Sequence, residues 1–478
     1  MNSKDFKTKF LKGAAMVGLG QVALQAMLLL RNIFVARLLP PEQFGVAVTF
    51  VTILGALDAM SEMGIELFLI RSSEGENAEL QSTLHTVMIS RAVFSSIVLF
   101  LLATPIAILF KTTDAIWAYR ALAIIPLLKG FAHLDYRRFE RNFQFLPGLL
   151  VNLGSTLIGT LVAIFLAHKT ANFSAMLYGN IVQIAVVVFG THAIAQRPYR
   201  LNFIAPYIKQ LSSFGTPLIL NGMVIFLASQ GDRIVVGSKL GVRELAMYGI
   251  ATILTGGVTL LFARVMGGVF LPAFASVIHS TQDFSRRYEI CGALTICAAF
   301  VTLIFFGILG APFAGLLYGS SYTFSPTLFA ALGTLAGFKI LRNQQQIAFI
   351  ALGDTKHALT ANVIAVCGIF VSFFLSLKSV PIEVMVILMA LAEAGAQIYS
   401  IATLNRKLTN TRDYKLLVLF AVVAAFLLAA QYFGWLANSV QLLVGYSVLL
   451  ALSALAISLF SSPKTLDLVL KFLTKLRK

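Results

Sequence analysis

Charged residues are scarce. They make up 12% of the 478 positions, where a soluble domain carries roughly 25%. A chain this poor in charge, 58% hydrophobic and with mean hydropathy +0.86, must turn most of its surface to lipid. Cysteine is nearly missing: Cys291, Cys297 and Cys367 lie in apolar runs without metal spacing. They read as small core residues, and disulfides are not part of the design. The histidines (His85, His133, His168, His192, His279, His357) are scattered, mostly at helix ends. There is no P-loop, so ATP is not the direct energy source. There is no D-x-D pair, no G-x-S-x-G elbow and no zinc spacing. Long polar loops are also missing. The largest, near 196–212, has room for a short surface helix and no domain. A membrane-embedded polymerase or ligase acting on sugars would need a sizeable extracytoplasmic loop, so that reading falls behind.

What the chain has is long apolar runs and an excess of positive charge. The net charge of +17 could suggest nucleic acid. The basic residues, however, are divided among short loops and form no continuous face, so no nucleic-acid partner is expected. A bilayer crossing takes about 20 residues. Runs of that order fall near 13–38, 43–70, 83–110, 115–133, 145–167, 172–195, 213–239, 244–275, 288–311, 325–352, 357–378, 382–404, 415–434 and 438–461. The fold class is therefore an all-α integral membrane protein of about fourteen helices.

Loop charges fit that count. With the N-terminus inside, the inner loops hold Arg71; Arg137, Arg138 and Arg141; Arg197, Arg200 and Lys209; Arg286 and Arg287; Lys356; and Arg406, Lys407, Arg412 and Lys415. The opposite loops hold only Arg37, Lys111, Lys169, Lys239, Arg243 and Lys378. Lysines flank both ends of the chain. The start, 1–12, reads as a retained cytoplasmic amphipathic segment, because the following apolar run is too long for a signal peptide and lacks a cleavage site. The expected plan is an N-lobe at 1–195, a cytoplasmic connector at 196–212, a C-lobe at 213–405, two further helices at 406–461 and an amphipathic tail at 462–478. In the tail, Leu466, Val469, Leu470, Leu473 and Leu476 share one face, as in a helix lying on the inner leaflet.

One stretch organises this plan. Arg31 to Gly45 closes the first apolar run and opens the second, and it is echoed 202 positions later. Arg31 falls on Arg233, Arg37 on Lys239, Leu38 on Leu240 and Glu42 on Glu244. A recurring helix–turn–helix with a charge inside apolar sequence suggests a transporter of two related halves.

Charges inside spans are costly, at least ~2.5–3.5 kcal/mol each at the bilayer centre. They must pair, snorkel or face a wet cavity. Asp58, Glu62 and Glu66, at i, i+4 and i+8, would form one acidic stripe on the second helix. Arg31, Arg233, Arg264, Lys339 and Arg342, drawn from both halves, could ring a cationic cavity suited to an anionic substrate. Asp58, Glu62, Glu66, Asp232 and Glu393 are then candidates for a coupling proton or Na⁺; no other cofactor and no metal is expected. For Arg31, Arg91, Lys129 and Arg233, structural pairing or snorkelling is the plain alternative.

The residues "RNIFVARLLPPEQFGVAVTF" (31–50) resemble the start of the Wzx-type polysaccharide transporters, the O-antigen flippases of the multidrug/oligosaccharidyl-lipid/polysaccharide exporter superfamily. The likeness lies in the arginine-bearing end of the first helix followed by Leu38-Leu39-Pro40-Pro41-Glu42-Gln43-Phe44-Gly45, and in Gly231–Tyr248 at the matching place of the second half. The resemblance implies a flippase for an undecaprenyl-diphosphate-linked oligosaccharide in the bacterial inner membrane, both termini cytoplasmic. It implies a cationic cavity, where Arg31 and Arg264 stand where relatives place cavity arginines, and polysaccharide polymerase and chain-length proteins as partners. Multidrug and lipid II exporters of the same superfamily are the nearest alternatives. The first usually stop at about twelve helices, and the second carry an arginine in a second helix that is acidic here.

Overall fold

Apolar runs in lipid leave the backbone no water to bond, so each must satisfy its own N–H and C=O groups as a helix. The computed structural model describes residues 3–434 apart from 62, 143, 377–379 and 409–411. Among them there is no strand, and helices follow one another by short turns. The chain is an all-α multi-pass membrane protein. The last expected span, 438–461, and the amphipathic tail, 462–478, lie outside the described residues.

The chain divides into two compact units, Met1–Ala246 and Met247–Lys478. The first holds α1 (Ser3–Leu38), α2 (Pro41–Ser61), α3 (Ile65–Arg71), α4 (Ala78–Leu109), α5 (Ile116–Leu122), α6 (Ile124–Gly130), α7 (Asp135–Arg141), α8 (Leu146–Thr170), α9 (Ser174–Ile194) and α10 (Ala205–Lys239). Helix α11 (Val242–Ala275) leads into the second, with α12 (Thr281–Ile304), α13 (Gly310–Tyr318), α14 (Pro326–Ala351), α15 (Thr355–Ser376), α16 (Ile382–Leu408) and α17 (Arg412–Tyr432). Helix α10 packs on α2 and α4 and falls within the first unit. The connector is only half connector: its residues from Ala205 onward are already the first turns of α10.

Nine described helices are long and apolar enough to cross a bilayer, or up to eleven if two bent pairs each count as one span. Two further described helices fall outside that number for physical reasons. Helix α14 carries Lys339, Arg342 and a run of amides, yet is buried along most of its length. Helix α17 has a shorter apolar stretch, Leu417–Tyr432. Outward faces elsewhere are apolar, with Phe94, Leu101, Phe165 and Phe189 all more than 60% exposed, as a lipid solvent allows.

In the first unit the second span is not one helix. Helix α2 ends at Ser61, and Gly64 adopts φ +63° before α3 begins. A left-handed residue cannot continue a right-handed helix, and glycine takes that conformation without a Cβ penalty. The motif glycine Gly45 has a different reason. A Cβ there would lie 1.8 Å from the Val242 carbonyl oxygen, so only glycine admits the contact between the two echoed segments. Glu42 and Arg243 close the same junction with an ion pair at 3.3 Å. Helices α8 and α9 meet through Gly159 and Gly179, where a Cβ on either would stand 2.9 Å from the other's carbonyl oxygen. Small residues of this kind let membrane helices approach closely.

In the second unit α14 is central and packs on α12, α15, α16 and α17. Ser325 caps it, accepting from the Leu328 N–H at 3.2 Å, with Pro326 at the first helical position. Helix α12 passes through a π turn, Phe305–Leu309, before α13. Gln431 of α17 donates to the Gly307 carbonyl there at 2.7 Å, serving an acceptor inside the turn.

The turn between α14 and α15 is pinned to the end of α16 by Asp354. Lys407 Nζ and His357 Nδ1 each lie 2.6 Å from its carboxylate. The Lys407 hydrogen bond, then the His357 one, hold the Asp354 carboxyl down at about 2. A depressed carboxylate stabilises the fold fully above its free value of 3.8 and loses that contribution as pH falls toward about 2. Asp354→Asn should therefore lower the thermal unfolding temperature of the detergent-solubilised protein at pH 7. The gap to the unsubstituted protein should shrink as pH drops through that window in a melting series.

Candidate functional site

Arg31 sits in α1 with only 6% of its surface exposed. Its guanidinium Nη1 donates to Gln183 Oε1 of α9 at 3.0 Å, and Gln183 Nε2 donates in turn to Thr156 Oγ1 of α8 at 3.3 Å. The glycine seam between α8 and α9 is what brings Gln183 and Thr156 together, and α1 packs onto α8 beside them. The Nε–H of Arg31 is buried with no hydrogen-bond partner. Among the described residues Arg31 has no ion pair. An uncompensated buried charge is worth several kcal/mol of instability even after relaxation, ~3–5 kcal/mol when one partner of a pair is removed. This arrangement is a fixed cation with spare donor capacity.

The acids of the second span are arranged otherwise than the sequence suggested. With α2 ended at Ser61, Asp58 and Glu66 stand on different helices, and no single stripe runs through them. Glu62 lies outside the described residues. Asp58 takes Lys129 of α6 at 2.7 Å. Glu66 takes Arg137 of α7 together with the Tyr136 hydroxyl, the latter at 2.8 Å. Each carboxylate thus meets a cation 71 positions away.

The other candidates divide into engaged and unengaged groups. Arg342 of α14 forks onto Glu393 of α16, Nε to Oε2 at 2.5 Å and Nη2 to Oε1 at 3.2 Å, and its Nη1 reaches Asn362 Oδ1 at 2.6 Å. The structure thereby joins a residue expected to bind substrate to one expected to bind a coupling ion. Asp232 accepts from the Arg233 backbone N–H at 2.9 Å, and both side chains are half-buried and already engaged in interactions. Arg264 on α11 is exposed and Lys339 on α14 half-buried, neither in an ion pair among the described residues.

Two features were invisible in the sequence. Gln183 and Thr156 are neutral and sit in ordinary apolar helices, so nothing marked them. His85, His133 and His192, which looked scattered, gather with Tyr199 at one end of the first unit. His85 stacks on Tyr199 with ring centroids 4.2 Å apart, and His133 lies 5.0 Å from His85 and 5.3 Å from His192. The Leu134 N–H donates to His85 Nε2 at 3.1 Å, and Asp135 accepts from the N–H of Gln196 at 2.7 Å. The cluster binds the chain after α9 to the turn before α7. Among the described residues, no three or more His, Cys, Asp or Glu side chains are placed to hold a metal ion.

The helical fold has solved counterparts. The fold is that of the lipid II flippase MurJ in an inward closed conformation, at TM-score 0.68 and 14% identity over 95% of this chain and all (100%) of that one. It is also that of an inward-facing MATE family multidrug transporter of the MOP superfamily, at TM-score 0.58 and 13% identity over 84% and 95%. The polysaccharide biosynthesis protein family matches residues 34–325, more than half of the chain, and the chain belongs to it. Two relatives with names are similar over part of their length. The succinoglycan biosynthesis transport protein ExoT of Rhizobium meliloti (strain 1021) is 22% identical over 63% of this chain and 60% of its own. The lipopolysaccharide biosynthesis protein WzxC of Escherichia coli (strain K12) is 20% identical over 66% and 65%. The chain thus matches less than two thirds of either relative.

The Arg342–Glu393 pair admits a test of its role. Removing one partner strands a buried charge, at about 3–5 kcal/mol, whereas replacing both by apolar groups is often near neutral. Arg342→Met and Glu393→Met should each lower the unfolding temperature sharply, and the double substitution should recover most of the loss in the same melting assay.

Proposed function

We propose that the chain is a flippase. It carries an oligosaccharide linked to undecaprenyl diphosphate from the cytoplasmic to the periplasmic leaflet of a bacterial inner membrane, by alternating access and without covalent chemistry. Membership of the polysaccharide biosynthesis family supports the sugar, and the transport protein ExoT among its relatives supports the movement. The MurJ-like fold is shared by lipid-linked and drug substrates alike and does not choose between them. The single observation that carries the reading is Arg31, a buried guanidinium with one N–H unmet and, among the described residues, no ion pair. A diphosphate supplies the missing charge and acceptors, and the guanidinium fork matches phosphate oxygens.

In this reading Gln183 and Thr156 hold the Arg31 fork in place while its Nε–H addresses the passing head. The loop charges support a cytoplasmic position for both termini. Energy comes from a cation gradient or the membrane potential. Asp58 is the acid best arranged to respond. Its Lys129 partner is a third exposed, at 33%, and Asp58 itself at 38%, so a cation reaching the pair would compete with the lysine.

A charge-assisted hydrogen bond is worth about 1.5–3 kcal/mol, roughly ten- to a hundredfold in a rate or constant. In a host lacking the chain, Arg31→Gln should fail to restore polysaccharide export by about that factor, and the lipid-linked repeat unit should accumulate, measured by mass spectrometry. Arg31→Lys, which keeps charge but loses the fork, should restore part. Full export by Arg31→Gln, at wild-type protein level in the membrane, would count against the proposal.

A further inference from the structure

The transport reading leaves one charged surface of the first unit unused. Between the end of α3 and the start of α10 lies an open groove of about 910 Å³. Two cations line it, Arg71 and Lys209, with the hydroxyls of Ser72, Ser73 and Ser213. Arg71 is not a loose surface arginine. Its guanidinium lies over the Phe214 ring, 5.3 Å from the centroid, a cation–π contact that restrains the side chain.

Around the groove most of the acids are already engaged. Glu66 belongs to Arg137 and Tyr136. Glu74 accepts from the Tyr207 hydroxyl at 2.5 Å, and Glu76 lies 3.5 Å from both Arg138 and Arg197. The carbonyls at the end of α3 would make that helix end negative, but Arg141 Nη1 donates to those of Leu69, Ile70 and Ser72. No carboxylate lines the groove, and neither Arg71 nor Lys209 has an ion pair among the described residues. A solvated basic end would leave its acids free to neutralise it. Here Glu66 and Glu76 are held by arginines, and Glu74 by the Tyr207 hydroxyl.

We infer that this groove binds a phosphate group. A planar fork, an ammonium and three hydroxyls offer donors on several sides of a tetrahedral anion. Two sources share that chemistry: the headgroup of an anionic phospholipid, and the diphosphate of a lipid-linked sugar on the leaflet facing this end of the unit. The site does not depend on the transport reading, because it uses neither Arg31 nor its partners.

The test uses the full chain in detergent. Inorganic pyrophosphate is titrated by calorimetry. Phospholipid retention is read by native mass spectrometry after extraction from vesicles of equal parts phosphatidylcholine and phosphatidylglycerol. Arg71 and Lys209 are exposed, so Arg71→Gln with Lys209→Gln should leave the fold intact, checked by its melting temperature. The expected result is a fall of about tenfold in pyrophosphate affinity, or a similar loss of retained phosphatidylglycerol, seen equally in an Arg31→Gln background. A fall for pyrophosphate alone identifies a head presented from water. A fall for phosphatidylglycerol alone identifies the bilayer's own lipid. Unchanged values in both arms overturn the inference. So does a loss that appears with Arg31→Gln and not with the double substitution, an outcome that leaves the transport reading standing.

Discussion

A positive charge held among apolar helices, with no counter-charge among the described residues, is the constraint on which the rest of this structure depends. Water would solvate a guanidinium; lipid and packed side chains do not. The first unit supplies Arg31 with one amide oxygen and leaves its Nε–H unmet. Everything near it is arranged to keep that state in place. Glycines at 159 and 179 draw α8 and α9 together, and that seam presents Gln183 backed by Thr156. An arginine kept this way is a standing electrostatic demand, and an anion of the right shape relaxes it.

The remaining charges are sorted by the same logic. At the basic end of the first unit, acids are paid out to arginines: Asp135 to Arg138, Glu66 to Arg137, Glu76 to Arg138 and Arg197. In the second unit Arg342 and Glu393 satisfy each other through both oxygens. Paired charges of this kind hold helices in register. Among the described residues several cations have no ion pair, and of these Arg31 is the one buried deep in a helix.

Much of the architecture was legible in the sequence, because lipid imposes one-dimensional rules. Long uncharged runs become helices, and the lack of loops and catalytic motifs directed attention to charges inside the runs. Arg31 was readable for that reason alone. The acidic stripe was misread because regular spacing says nothing about a break, and Gly64 at φ +63° breaks the helix between Asp58 and Glu66. The partners of those acids, Lys129 and Arg137, stand 71 positions away, and Glu393 lies 51 from Arg342. Such pairings are tertiary facts with no local signature. Gln183 and Thr156 were hidden for a different reason: a neutral residue in an apolar helix is cheap enough to need no explanation. The histidines at 85, 133 and 192 converge only because three separate elements meet at one end.

The most direct measurement is a structure of the full chain with an undecaprenyl-diphosphate oligosaccharide bound. The account predicts a phosphate oxygen within about 3 Å of Arg31 Nε, with the Gln183 contact kept. A diphosphate lodged away from α1, with the Arg31 Nε–H still unmet or satisfied by a carboxylate, would contradict it.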